Sequence, residues 1–257
     1  MKKSILHFAY AVMLMFYTCI TASCQEKNTV ALELPAIADS DIIVTHVGYT
    51  AAYDTVRHIP RWVAYELTHE ELRGNVPRQG NDCWMQDSNI TYSQADSKDY
   101  RRSGWSRGHM APAADMKWSE QAMRESFLLT NICPQDSTLN GNSWERTERL
   151  GRRLARRYGK VWIVCGPVFY DNRFGTIGNN KVAVPDAFFK AFLVNREGQY
   201  AAIGFIMYNT PEMQELKASS MSVDEVETAT GLDLFPALPD DIEEEVESTI
   251  ESRWWGI

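Results

Sequence analysis

Residues 143–169 read SWERTERLGRRLARRYGKVWIVCGPVF, and this segment predicts a long helix followed directly by a buried strand. Leu150, Leu154 and Tyr158 recur every four residues and form one apolar stripe along the helix. Gly159 follows that stripe, as is typical of a helix C-terminus. The ten residues after it are apolar almost throughout, which indicates a strand in the middle of a sheet.

The segments before and after this one predict further strands and several short helices. Residues 41–68 carry many β-branched and aromatic residues with alternating polarity, and they predict two or three antiparallel strands. Residues 186–195 and 199–209 predict another antiparallel pair. Strands and helices do not alternate regularly, so the predicted class is α+β, with a central, mostly antiparallel sheet flanked by helices. Short helices are predicted at residues 119–127, 222–231 and 239–255.

The first 24 residues have the pattern of a secretory signal peptide, with two lysines, an apolar run and then small residues. Cys24 stands where a bacterial lipoprotein carries its lipidated cysteine, and lipidation and simple cleavage are left as equal alternatives. We therefore expect a bacterial protein that is exported and is periplasmic, anchored to the outer membrane or extracellular. We expect residues 25–40 to be a tether and residues 41–257 to form a single domain.

Charge is distributed unevenly along the chain. The formal net charge is −8, which argues against a protein that is basic throughout. Residues 101–160 nevertheless contain 12 Lys and Arg against 6 Asp and Glu, whereas residues 201–257 contain 2 against 13. The basic segment is compatible with a polyanion at that face. A solvated charged helix explains the same charges, and charge alone favours that explanation.

The basic segment contains SGWSRGHMAPAADMKWS, residues 103–119, in which His109 directly follows an Arg-Gly pair. We expect the adjacent arginine to lower the pKa of His109 and to keep its ring neutral at pH 7. A neutral imidazole accepts a proton, which makes His109 a candidate general base. This pattern proves little alone, because most histidines are structural.

Asn140, Trp144 and Glu148 recur at intervals of four residues and share one face of a helix if the helix begins at Asn140. On such a helix the rise from Asn140 to Glu148 is roughly 12 Å. Amide and carboxylate oxygens suit Mg²⁺, which keeps most of its waters and takes few protein ligands. The alternative for Asn140 is a helix N-cap. We assign Trp144 to packing beneath the site.

Three elements taken together resemble the DNA/RNA non-specific endonucleases, the ββα-metal family that includes the Serratia nuclease and the endonuclease G type. They are SRGHMAPAADM (106–116), LLTNICPQ (128–135) and LNGNSW (139–144) at the start of a helix. The resemblance covers nearly all of the chain after the leader and implies a ββα-metal (His-Me finger) motif within a nuclease domain of residues 41–257. The chain has Ser106 where the family usually has aspartate, which leaves the choice between endonucleolytic and exonucleolytic cutting open.

The resemblance implies roles for five residues. His109 matches the general base, Asn140 the direct Mg²⁺ ligand, and Glu148 the acid that holds metal-bound water. Arg107 matches the arginine next to the catalytic histidine. Arg78 matches the upstream arginine that binds phosphate.

The implied reaction is hydrolysis of phosphodiester bonds in DNA and/or RNA, with Mg²⁺ as cofactor, Mn²⁺ as a candidate substitute and 5′-phosphate products. The candidate partners are the nucleic acid, a second copy in a homodimer, and a membrane reached through lipidated Cys24. One alternative is a non-cleaving, surface-anchored protein that binds nucleic acids or other polyanions on the same fold. A hydrolase that pairs His109 with a serine nucleophile is disfavoured, because no G-x-S-x-G motif is present.

Overall fold

The computed structural model describes residues 31–80 and 83–257, and its largest element is a seven-stranded sheet. The strands are β1 (Ile42–Thr45), β2 (Thr50–Asp54), β3 (Ile59–Thr68), β4 (Ser106–His109), β5 (Ile132–Gln135), β6 (Lys160–Val168), β7 (Thr176–Ile177), β8 (Val182–Ala183), β9 (Ala187–Arg196), β10 (Gln199–Tyr208) and β11 (Ser220–Met221). The sheet has the order β1-β2-β3-β6-β9-β10-β11, and every neighbouring pair is antiparallel. The pairs β4-β5 and β7-β8 lie outside it.

The helices are short, apart from one that follows a π-helical turn. They are α1 (Glu120–Glu125), the π-helical turn (Leu139–Trp144), α2 (Glu145–Tyr158), α3 (Val223–Thr230) and α4 (Asp240–Ser248). Within residues 31–80 and 83–257, every helix is too short or too polar to cross a bilayer.

Strand β6 shows how the sheet divides the core into two layers. Ile163 and Cys165 belong to one buried cluster, whereas Trp162 and Val164 belong to the other, because successive side chains of a strand point to opposite faces. Helix α2 contributes Leu150 and other residues to the first cluster. Helices α3 and α4 pack on the second. The predicted α+β class, with its mostly antiparallel sheet, is confirmed.

The element bounds agree with the sequence predictions at most positions and differ at two. The apolar run LLTNICP (128–134) predicts a strand, but residues 129–131 form a 3-10 turn and β5 begins at Ile132. The predicted acidic helix at residues 239–255 ends at Ser248, and Thr249 is extended. Helix α4 has no basic residue in its last turn, so nothing there offsets the negative end of the helix dipole.

The segment before β1 lies against the second cluster. Leu32 and Leu34 pack on that cluster, and the Ala36 amide donates to the carbonyl of Asp233 at 2.9 Å. Part of the predicted tether thus contacts the domain. The predicted signal peptide and Cys24 lie outside the described residues, and the domain bounds stay predictions.

Candidate active site

Strands β4 and β5 hold His109 at the edge of a short two-stranded ladder. Gly108 pairs with Cys133 and His109 with Ile132. A methyl group at position 108 would overlap the side chain of buried Gln135. The glycine of the Arg-Gly-His motif is therefore required for the close approach of the two strands. Its backbone does not adopt a positive φ, so conformational freedom is not the reason for it.

The ring of His109 is buried among aromatic side chains. The ring centroids of Trp84 and Phe127 lie 5.2 and 5.1 Å from it, and the Trp144 indole donates to the His109 carbonyl at 3.2 Å. In the described part of the chain, the buried Nε2 of His109 has no hydrogen-bond partner. Burial, and then the charge of Arg78, lower the pKa of His109 to about 3. The ring is neutral at pH 7, as predicted.

The arginine that acts on His109 is Arg78, and the prediction that the adjacent arginine does so is wrong in that respect. The Arg78 guanidinium lies 5.0 Å from the centroid of Phe127, which itself contacts the histidine. The Nη2 of Arg107 donates to the Ser97 carbonyl at 2.6 Å. Its guanidinium lies over Trp84, at 5.4 Å from the ring centroid.

Asn140 lies within the π-helical turn. The Asp136 carboxylate accepts hydrogen bonds from the amides of Thr138 and Leu139, at 2.7 and 3.1 Å, and so supplies the cap. The backbone amide of Asn140 donates to the backbone carbonyl of Asp136 at 2.9 Å. Asn140 is thus not the N-cap, and among residues 31–80 and 83–257 its side chain has no hydrogen-bond partner. Single π-helical turns occur frequently at functional sites.

Glu148 lies in the first turn of α2, beside a fully buried lysine. Burial raises the pKa of Glu148 to about 7, against the opposing effect of the Lys190 charge. The Lys190 ammonium lies 4.3 Å from the centroid of the Trp144 ring. It makes no hydrogen bond within the described residues. The cation–π contact and the nearby carboxylates of Glu148 and Asp115 stabilise its charge.

A second buried ion pair adjoins Glu148. The Arg152 guanidinium donates to Asp115 at 2.7 Å, and the Tyr65 hydroxyl donates to the other oxygen of Asp115 at 2.9 Å. Both charged residues also act on the pKa of Glu148, Asp115 raising it and Arg152 lowering it. This network fixes the helix that carries Glu148 against the main sheet.

The structure brings four of the five predicted residues close to a shared set of aromatic side chains. His109, Arg78 and Arg107 are linked through Trp84 and Phe127. Glu148 is linked through Lys190 to Trp144, which binds the His109 carbonyl. Asn140 is placed four residues before Trp144, in the turn that leads into α2.

Sequence reasoning missed four residues, namely Trp84, Asp115, Arg152 and Lys190. The sequence did contain one signal, since Lys190 interrupts the apolar run DAFFKAFL. A lysine is almost never fully buried unless it is paired, so its position in such a run is informative.

Comparisons with known proteins show the family to which the chain is similar. The family model described as DNA/RNA non-specific endonuclease matches residues 30–241. The chain is 34% identical over 215 residues to Endonuclease G, mitochondrial, of Homo sapiens, covering 79% of this chain and 71% of that protein. It is 36% identical over 215 residues to Nuclease EXOG, mitochondrial, of Danio rerio, covering 78% of this chain and 62% of that protein. The solved structure of the EndoG/EndoGI complex matches with a TM-score of 0.74 and 27% identity, over 81% of this chain and 90% of that chain.

The relatives overturn the prediction of bacterial export. Endonuclease G and Nuclease EXOG carry mitochondrial names, as do similar nucleases of Schizosaccharomyces pombe and Saccharomyces cerevisiae. The predicted periplasmic, outer-membrane or extracellular location is therefore wrong. The signal-peptide pattern and the lipidation of Cys24, on which that prediction rested, receive no support from these relatives.

Both the family match and the structural match extend over most of the chain. The family match, over residues 30–241, includes β4, which carries His109, and α2, which carries Glu148. The relatives are nucleases by name, and the chain is accordingly an enzyme that hydrolyses nucleic acids. This chain belongs to the DNA/RNA non-specific endonuclease family.

Proposed function

We propose that this nuclease uses His109 as its general base, that Asn140 binds a Mg²⁺ ion directly and that Glu148 holds the ion through metal-bound water. The observation that carries the proposal is the buried Nε2 of His109, which has no hydrogen-bond partner among the described residues. A buried polar atom without a partner is costly, so it is found where a substrate or a reacting water supplies the partner. The ring is also neutral and ready to accept a proton.

Asn140 and Glu148 fit a hard cation by their chemistry. Both offer oxygen ligands, and neither side chain makes a hydrogen bond in the part of the chain that the structure describes. Burial disfavours the charged form of Glu148, and a cation beside it would restore that form. When bound, the ion supplies positive charge at a phosphate oxygen and at the leaving oxygen. Mn²⁺ has the same ligand preference and belongs in the same test.

His109 then takes a proton from the attacking water at Nε2. Trp84 and Phe127 hold the ring in place, and the hydrogen bond from Trp144 fixes its backbone. A pKa of about 3 makes the free imidazole a weak base. A phosphodiester beside the ring adds a negative charge that opposes Arg78, and so it favours the protonated form at the moment of transfer.

Arg78 and Arg107 bind the phosphate in this proposal. Arg78 is exposed and its charge already acts on His109, which places a cation at the mouth of the site. The Nε of Arg107 is buried without a partner among the described residues. Charge-assisted hydrogen bonds to phosphate carry no base information, so cutting is expected to be independent of sequence. The 5′-phosphate products are what the resemblance to the family implies.

The test is nicking of supercoiled plasmid by the purified protein with Mg²⁺, with Mn²⁺ and with EDTA. We expect His109→Ala to slow cleavage by about 100-fold or more, because general-base catalysis contributes at least that much. DNA binding is expected to stay near wild type, and the variant is expected to remain folded with a lower unfolding midpoint, because truncation of the buried ring leaves a cavity. His69→Ala, at an exposed histidine, is the matched control and is expected to cut normally.

Two outcomes would count against the proposal. Cleavage by His109→Ala at the wild-type rate would remove histidine from the mechanism. Cleavage that persists in EDTA would remove the metal ion from the mechanism.

A homodimer stays a prediction, and sedimentation of the same samples measures the oligomeric state.

A further inference from the structure

A cluster of three carboxylates joins helices α3 and α4, away from the nuclease site. Asp224 and Glu227 lie one turn apart on α3, and Glu247 lies in the last turn of α4. One carboxylate oxygen from each lies within 4.8 Å of the other two. Both helices pack on the face of the sheet opposite α2, so the cluster is separate from Asn140 and Glu148.

The carboxylate of Glu247 is buried, and one of its oxygens lacks a hydrogen-bond partner among the described residues. The residue is 5% exposed, and its Oε1 has no hydrogen-bond partner in residues 31–80 and 83–257. Burial, and then the charges of neighbouring acidic residues, raise its pKa to about 9. The negative end of the α4 dipole adds to this repulsion. The acidic residues are Asp224, Glu227, Asp233 and Glu243.

The cluster is open to solvent on one side and fixed on the other. Asp224 is exposed and Glu227 is half-buried, so an ion can reach the oxygens without any movement of the helices. The Leu234 amide donates to Oε1 of Glu227 at 2.5 Å, which orients that carboxylate and leaves its second oxygen available. Leu234 lies in the connection between the two helices.

We propose that Asp224, Glu227 and Glu247 form a second cation site, which binds Ca²⁺ and links α3 to α4. All three ligands are hard oxygens, which select Ca²⁺, Mg²⁺ or Mn²⁺ over zinc or copper. Carboxylates that bind with one or two oxygens suit the flexible coordination of Ca²⁺, whereas Mg²⁺ demands near-ideal octahedral geometry. The ion also supplies the partner that the buried oxygen of Glu247 lacks.

The test is thermal unfolding of the chelator-stripped full chain, with and without added Ca²⁺, in an Asn140→Ala background. That background removes a proposed ligand of the catalytic ion and keeps the two sites apart. We expect Ca²⁺ at a hundredfold excess over its dissociation constant to raise Tm by roughly 5 °C. Mg²⁺ is expected to give a smaller shift at the same concentration.

Glu247→Gln keeps the size and burial of the side chain and removes its charge. We expect this variant to lose the Ca²⁺-dependent rise in Tm, to be at least as stable as the parent without ions, and to cleave plasmid at the wild-type rate when Asn140 is intact. Glu244→Gln, at an exposed position of the same helix, is the matched control and should keep the rise. No rise in the Asn140→Ala background, or an equal rise in Glu247→Gln, would overturn the site. A larger shift with Mg²⁺ than with Ca²⁺ would overturn the choice of ion.

Discussion

His109 and Glu148 are the two titratable side chains of the proposed site, and burial drives both toward their neutral forms. The pKa of His109 is lowered to about 3, and that of Glu148 is raised to about 7. Near neutral pH the histidine therefore has no proton to lose, while the glutamate is changing its charge. The acidic limb of a pH–rate profile should report Glu148, although histidine is the residue usually assigned to that range.

The first prediction concerns this limb. We expect kcat/KM to rise with pH through about 7, because Glu148 must lose its proton to interact with the ion. Raising the Mg²⁺ concentration should move the limb to lower pH, since a nearby cation favours the carboxylate. Rates measured from pH 5 to 9 at two Mg²⁺ concentrations check this. A limb that persists unchanged in the residual activity of Glu148→Gln would assign it to another group.

A substitution at Lys190 should shift the acidic limb of the pH–rate profile without changing Glu148 itself. Its charge lowers the pKa of Glu148, so Lys190→Met should shift the limb to higher pH. The free energy of unfolding should fall above about pH 7, because Lys190→Met leaves the buried Glu148 carboxylate without its neighbouring positive charge. The pH profile of kcat/KM and the urea midpoint test both points. Lys160→Met, at a partly exposed lysine paired with Glu66, is the control that should leave the limb in place.

At the scale of elements, the sequence predicted the parts whose signals are local. Helix α2 follows from its apolar stripe and Gly159, and α3 follows from the capping box of Ser222 and Glu225, which the structure contains. Strands β6, β9 and β10 follow from their apolar runs. Each of these signals lies within about ten residues, so chain topology does not affect it.

The parts that escaped prediction depend on contacts between distant segments. The π-helical turn at Asn140 is a rare conformation without a local sequence signal, and its last residue, Trp144, is held by the carbonyl of His109, 35 residues away. The effect of Arg78 on His109 likewise requires the segment that carries Arg78 to fold back over Phe127. The motif spacing identifies these residues in the sequence, but it does not predict which side chains surround them in the fold.

The prediction at this scale concerns the cap of the π-helical turn. Asp136→Ala removes the acceptor for two backbone amides and should cost about 1 kcal/mol of unfolding free energy. It should also reduce cleavage, because the same turn positions Asn140. Asp136→Asn keeps an oxygen acceptor and should recover most of both losses. Urea unfolding and plasmid nicking measure the two effects, and full activity in Asp136→Ala would show that the cap does not position Asn140.

For the whole molecule, the basic segment is only partly available to a substrate. Arg152 is paired with Asp115, and Arg153 and Arg157 donate to backbone carbonyls of the C-terminal residues 253–256. These arginines therefore make contacts within the fold. The electrostatic contacts to nucleic acid therefore depend on fewer residues than the count of 12 basic side chains implies.

Arg78 is the exposed arginine whose charge reaches His109, and it should be one of these contacts. A phosphate contact releases bound counterions, so Arg78→Ala should reduce the slope of log binding constant against log salt by about 0.9 on duplex DNA. Arg253→Ala removes the same charge from an exposed ion pair with Glu251 and should leave the slope unchanged. Fluorescence anisotropy of a labelled duplex between roughly 50 and 200 mM salt, the range over which such contacts weaken, measures both slopes. Equal slopes for the two variants would mean that Arg78 acts on His109 without touching phosphate. A reduced slope for Arg253→Ala would instead place the nucleic acid over the C-terminal turn.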